Sequence, residues 1–238
     1  SMLWDVESKF DNEAFVYCGP GVWFNRKSGR IHARLAHTKL AGLGSRSYRG
    51  KTDPRKIPLC ISGPHGMDVL RINGVNHLVF QDLVLRGASG SPLVNLYGSE
   101  NITFDGLTLY GGAPGLLAKA SSKIKILNTA FRGLAAPWSS RASMKYRGTA
   151  SYQLITQRNK PLNRDWEIAH CEFTDDHDGV WIRYVNNLRF HHNLVDHFND
   201  DGIEVGARKR DHELYIYQNL ISRCGLTFTL HEMEADEG

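Results

Sequence analysis

A repeat constrains this chain more than any other feature. Residues 166–206 hold two segments written to one template, WEIAHCEF followed by TDDHDGVWIR and LRFHHNLV followed by FNDDGIEVG. In the first, Phe173 precedes Asp178-Gly179-Val180-Trp181-Ile182; in the second, Val195 precedes Asp201-Gly202-Ile203-Glu204-Val205, 22 to 23 residues later. Such a period, with short alternating apolar runs and Gly or Asn at the breaks, is the pattern of stacked β-coils: one repeat cannot bury its own apolar face, and its neighbours complete it. Stacking sets Asp178 about one strand spacing, ~4.8 Å, from Asp201. It also gathers Asp175, Asp176, His177, Asp178, Asp200 and Asp201 at one edge. Carboxylates crowded at that spacing repel, which calls for a bound cation, a shared proton or catalysis.

The repeat extends in both directions. Taking Leu78, Ile102, Ile124, Trp166, Leu188 and Leu214 as equivalent gives steps of 24, 22, 42, 22 and 26 residues. The long step is one coil carrying an insertion, placed at residues 134–165 and rich in Arg, Lys and Tyr. A further strand per coil is expected at 67–72, 92–96, 115–119, 179–183, 202–206 and 225–230. Alternation there puts Val180, Ile182, Ile203 and Val205 inside and Trp181, Arg183 and Glu204 outside. A second stacked column, Asp82, Gly106, Asn128, His170, His192 and Gln218, marks a corner, with Asn193 and Asn219 one place on. Polar side chains there satisfy turn backbone and their equivalents one coil away, so His170 and His192 read as structural.

Residues 1–60 do not follow the repeat. Two short runs around Asn25-Arg26-Lys27-Ser28-Gly29-Arg30, the second alternating strictly over Ile31-His32-Ala33-Arg34-Leu35, predict a β-hairpin. Residues 41–58, rich in Gly, Ser, Arg, Lys and Pro, predict a surface loop. The domain reading is therefore 1–60 as hairpin and loop and 61–238 as the stack.

With 41% hydrophobic and 23% charged residues the chain has the composition of an ordered globular protein, which excludes disorder. A formal charge of +4 is mildly basic, but the cations are scattered apart from Arg208-Lys209-Arg210, so no nucleic-acid footprint is expected. Cys18, Cys60, Cys171 and Cys224 form no CxxC pair or disulfide framework. No apolar run reaches the ~18 residues of a membrane span.

These repeats resemble the right-handed parallel β-helix superfamily of pectate-lyase-like and polygalacturonase-like proteins, over residues 67–230. The resemblance implies an all-β, right-handed parallel β-helix. It also implies a polysaccharide-degrading enzyme, hydrolase or lyase, acting on an acidic polysaccharide, secreted or periplasmic. In polygalacturonase-like hydrolases an Asp-Gly on one coil faces an Asp-Asp on the next, the form taken here by Asp178-Gly179 and Asp200-Asp201. That chemistry wants one carboxyl protonated toward the leaving oxygen and another ionised to activate water. His177, Asp178, Asp200 and Asp201 are thus the candidate catalytic residues, and Trp181, Arg183, Glu204, Arg208 and Lys209 the candidate substrate contacts. The Gly-His-Gly that the family carries on the next coil is replaced by Arg223-Cys224-Gly225. Asp-Gly also simply turns the chain into a strand.

Lyases of this fold give proton abstraction to Lys or Arg, often with calcium. On that reading Arg183 and Arg208 to Arg210 serve the chemistry, and Asp175 and Asp176, with Asp200 and Glu204, hold Ca2+; a hydrolase needs no cofactor. A likeness of Asp176-His177-Asp178 to the motif of β-helix alginate epimerases adds a third chemistry. Against all three stand a β-helix that grips a polysaccharide without cutting it, an inactive fragment of a larger enzyme, and a purely structural module. The last coil runs into an acidic tail with no capping helix, so an open strand edge is expected there, covered by further coils or by a second copy.

Overall fold

A computed structural model describes residues 21–25, 27–34, 53–56, 67–88, 91–133, 152–157, 161–198, 200–207 and 213–232. The chain divides into two compact units, Ser1–Cys60 with Ala135–Ser140, and Ile61–Leu134 with Arg141–Gly238. In the first, β1 (Gly21–Asn25) and β2 (Arg30–Arg34) pair antiparallel, Asn25 opposite Arg30, with Gly29 in the turn at φ 65°. A short 3-10 turn lies at Pro54–Lys56.

The second unit is a stack of three-stranded coils. The first coil is β3 (Leu70–Asn73), β4 (Asn76–Gln81) and β5 (Val84–Arg86); the second is β6 (Val94–Tyr97), β7 (Glu100–Asp105) and β8 (Thr108–Tyr110). The third is β9 (Leu116–Lys119), β10 (Ser122–Leu127) and β11 (Ala130–Arg132), and the fourth β12 (Tyr152–Thr156), β13 (Asn163–Ala169) and β14 (Glu172–Thr174). The fifth is β15 (Asp178–Arg183), β16 (Val185–His191) and β17 (Leu194–Asp196), and the sixth β18 (Asp201–Ala207), β19 (Leu214–Tyr217) and β20 (Leu220–Ser222). β21 (Leu226–Glu232) opens a seventh. Every strand pairs in parallel with its counterpart one coil away, giving three parallel sheets.

The register is the one the repeat predicts. Leu78 pairs with Ile102, Ile102 with Ile124, Ile124 with Trp166, Trp166 with Leu188 and Leu188 with Leu214. Ile102, Ile124, Trp166 and Leu188 form the core with Phe104, Phe131, Phe173 and Phe190, all essentially solvent-free, while Leu78 and Leu214 in the end coils are less buried. Phe131 and Phe173 stack with ring centroids 4.6 Å apart. Each such side chain contributes about 1.5–3 kcal/mol through burial. Trp166 places its indole N–H on the Ser121 carbonyl at 3.0 Å, so its one polar atom is satisfied inside the core.

The predicted corner is a column of left-handed residues: Asp82, Gly106, Asn128, His170, His192 and Gln218 all have φ between 49° and 67°. Asn, Asp and His tolerate that conformation better than most residues. His170 and His192 stack ring on ring at 5.1 Å. One place on, Asn193 Oδ1 accepts the Cys171 N–H at 2.9 Å, and Asn219 Oδ1 accepts the Asn193 N–H at 3.0 Å. Their amide nitrogens donate to the Ile168 and Phe190 carbonyls.

The insertion differs from expectation. Residues 134–165 are not one excursion, because β12 lies within them and pairs with β9 on one side and β15 on the other. It supplies the fourth coil's missing strand, and β13 begins at Asn163, also inside that range. Tyr152-Gln153-Leu154-Ile155-Thr156 hid among basic residues because its flanking Gln153 and Thr156, although buried, are polar.

Candidate functional site

The candidate site is the edge where β12, β15, β18 and β21 begin, together with the outward face of their sheet. Asp178 and Asp201 open β15 and β18, and the Asp201 N–H donates to Asp178 Oδ1 at 3.3 Å. The glycine after each aspartate has a packing reason: a Cβ on Gly179 would lie 2.2 Å from the Gly202 carbonyl oxygen. Asp-Gly therefore belongs partly to the stack, and the carboxylates need their own account.

Five groups converge on the outward face. Trp181 pairs in register with Glu204, and Glu204 with Thr229. The Thr229 hydroxyl donates to Asp201 Oδ1, tying that carboxylate to the same face. Glu204 is 3.1 Å from His231 Nε2, and its side chain keeps only 12% of its exposure. Burial first, then the charge of Asp201, pushes its carboxyl up to about 7; Asp178 adds to the rise, while His231 and Arg183 oppose it. Glu204 is thus the group here whose environment favours holding a proton near neutrality.

β12, which lies inside the expected insertion, builds the floor of this site. Its Tyr152 stacks on Trp181 with ring centroids 4.9 Å apart and lies within reach of the Asp178 and Glu204 charges. Burial, then the Asp178 charge, raises the Tyr152 hydroxyl well above its ordinary value. Gln153 donates to Asp176 Oδ2 at 3.0 Å, and Thr156 Oγ1 bonds both the N–H and the carbonyl of Arg183. The Arg183 guanidinium lies 3.2 Å from the centre of the Trp181 ring, and burial lowers its pKa. In this arrangement the indole covers neighbouring protein. The available signal for Tyr152 was the short run of strand-forming residues between the basic stretches.

At the corner just before these strands, His177 and Asp200 are stacked equivalents, joined by the Asp200 N–H on the His177 carbonyl at 3.1 Å. His177 Nε2 stands 3.7 Å from Asp200 Oδ2 and 3.9 Å from Asp178 Oδ2. The three donor atoms all lie within 4.8 Å of one another.

Asp175 and Asp176, expected as calcium ligands, do not join this cluster. Asp176 is buried, where it accepts the Gln153 amide and the His177 N–H at 2.9 Å, so its carboxylate closes the turn. Asp175 sits at φ 65° and pairs with His197 Nδ1 at 2.7 Å. Calcium needs six to eight oxygen ligands. The donors that converge are one imidazole nitrogen and two carboxylates, and they do not fit it. Arg208 and Lys209 lie outside the described residues.

A family model described as a right handed beta helix region matches residues 69–233. The chain belongs to the right-handed β-helix family. The match spans all three parallel sheets, and the β-helix is a scaffold compatible with carbohydrate-active enzymes. Among curated proteins none matches the chain. Among the described residues, no helix is long and apolar enough to cross a membrane.

Proposed function

We propose that this β-helix protein is a polysaccharide-degrading enzyme that hydrolyses glycosidic bonds of an acidic polysaccharide outside the cytoplasm. The observation that carries the reading is the pairing, on one outward face, of two carboxyl groups in unlike surroundings. Glu204 is shielded and pushed up to about 7, and Asp201 is held beside it by Thr229. Unlike environments divide acid from base between two carboxyls. Glu204 donates the proton to the leaving glycosidic oxygen, and Asp201 takes the proton of the attacking water. Asp178 is almost fully covered and already accepts the Asp201 N–H, so it shapes the site. Arg183, fixed between Thr156 and Trp181, is the described cation for a uronate carboxylate.

One observation favours a second reading. Burial lowers the pKa of the Arg183 guanidinium, the direction a base for uronate elimination requires. Incubation with a panel of acidic polysaccharides, following reducing ends and unsaturated-uronate absorbance together, separates the two. Reducing ends without absorbance, lost in Glu204→Gln and Asp201→Asn, are expected. Absorbance that survives Glu204→Gln moves the chemistry to Arg183, and no product on any polymer leaves a binding protein.

A further inference from the structure

We infer that His177, Asp178 and Asp200 form a site for a divalent transition metal of the zinc or manganese class, clamped between the fifth and sixth coils. The inference goes beyond the hydrolase reading and does not rest on it.

The argument starts from distance. His177 Nε2 is 3.7 and 3.9 Å from its two carboxylate oxygens. Those separations are too long for hydrogen bonds, which close to about 2.7–3.2 Å. The neighbouring corner supplies a control: His197 and Asp175, also an imidazole facing a carboxylate one coil away, close to 2.7 Å. A corner of this β-helix can therefore draw such a pair together, and at His177 it holds the donors apart. Metal–ligand bonds of about 2.1 Å set tetrahedral donors roughly 3.4 Å from one another. The two histidine–carboxylate separations exceed that by only a few tenths of an ångström, and the third pair of donors lies within 4.8 Å.

Charge argues the same way. The Asp178 side chain is 5% exposed and that of Asp200 22% exposed, with donor oxygens that lie within the same 4.8 Å cluster. An imidazole and two carboxylates gathered at one corner offer a cation both donor atoms and negative charge. Donor type then selects it: a nitrogen with two carboxylate oxygens suits zinc or manganese, whereas calcium asks for an oxygen cage. Three protein donors also leave positions for water or a ligand oxygen, as in open metal sites.

The test uses the full chain, freed of metal by dialysis against chelator and titrated calorimetrically with Zn2+, Mn2+ and Ca2+. We expect one saturable site for Zn2+ or Mn2+ and no heat with Ca2+. Asp200→Asn, at a partly exposed position, should weaken binding by at least about 10-fold, the scale set by losing even an outer partner of a metal ligand. Asp175→Asn should leave it unchanged. Equal affinity in Asp200→Asn, loss of binding in Asp175→Asn, tight calcium binding, or no binding by the wild type would each overturn the site. Co2+-loaded wild type gives a readout independent of any variant: visible bands of a nitrogen–oxygen site are expected, and the spectrum of an all-oxygen octahedral ion refutes it. Glu204→Gln should keep full metal affinity while losing hydrolysis. A wild type that binds metal but cleaves nothing therefore defeats the hydrolase reading alone.

Discussion

Glu204 shows how a β-helix sets the chemistry of one side chain. In an unfolded chain its carboxyl titrates near its ordinary 4.5, and burial in the fold pushes it up to about 7. The folded protein therefore binds this proton more tightly, so its contribution to stability is complete below pH 4.5 and is lost as pH rises to about 7. A proton donor behaves in parallel. Hydrolysis should fall on the alkaline side of about pH 7, and Glu204→Gln should lower it by at least about 100-fold while its urea midpoint stays near wild type. A pH profile of kcat/KM with an unchanged alkaline limb in that variant would remove Glu204 from the role. Asp196 titrates in the opposite sense. Arg223 first, with Ser222, holds its carboxylate down to about 2. That stabilisation is present above pH 3.8 and fades as pH falls toward 2. Arg223→Ala should lower the melting temperature slightly at pH 7, with the difference shrinking below pH 3.8 in paired thermal melts.

At the scale of the element, β12 is the strand whose loss would be felt furthest. Leu154 is solvent-free and pairs with Leu116 and Val180 in the flanking strands. Leu154→Ala should cost about 2–5 kcal/mol in urea unfolding and disturb Tyr152, Gln153 and Thr156 with it. The turn into β15 is as tight: Gly179→Ala puts a methyl group 2.2 Å from the Gly202 carbonyl oxygen. Adjacent coils must part to accept it, at a cost of about 1–3 kcal/mol. Gly29 offers the contrast, since a Cβ there meets nothing within 4 Å and the strain comes from its φ of 65° alone. Equal unfolding midpoints for wild type and Gly179→Ala would contradict the close approach.

At the scale of the molecule, the stack is quasi-one-dimensional, each coil supported by its neighbours. Interior coils bury their columns completely, as at Ile124, Ile168 and Phe190. The end coils do not: Leu78 in the first is 38% exposed and Leu230 in the last 70%. Native-state hydrogen exchange should therefore show the strongest protection in β10, β13 and β16, declining toward β4 and β21. Uniform protection along the stack would mean that the end coils are covered in solution.

What the sequence determined by itself was the stack. A period near 22 residues combined with strand alternation allows one register, because a one-residue slip would turn Leu78, Ile102, Trp166 and Leu188 outward together. The same pattern placed the stacked polar corner, the Asn193–Asn219 ladder and the meeting of Asp178 with Asp201. Tertiary structure decided the rest, since a side chain's surroundings come from coils far away in sequence. His231 and Thr229 frame Glu204 and Asp201 from β21, and Gln153 donates to the buried Asp176 from a strand that polar residues concealed. Asp175 and His177 are two residues apart in one corner. One closes onto His197 and the other faces two carboxylates at 3.7 and 3.9 Å, a difference set by which side chains the next coil presents.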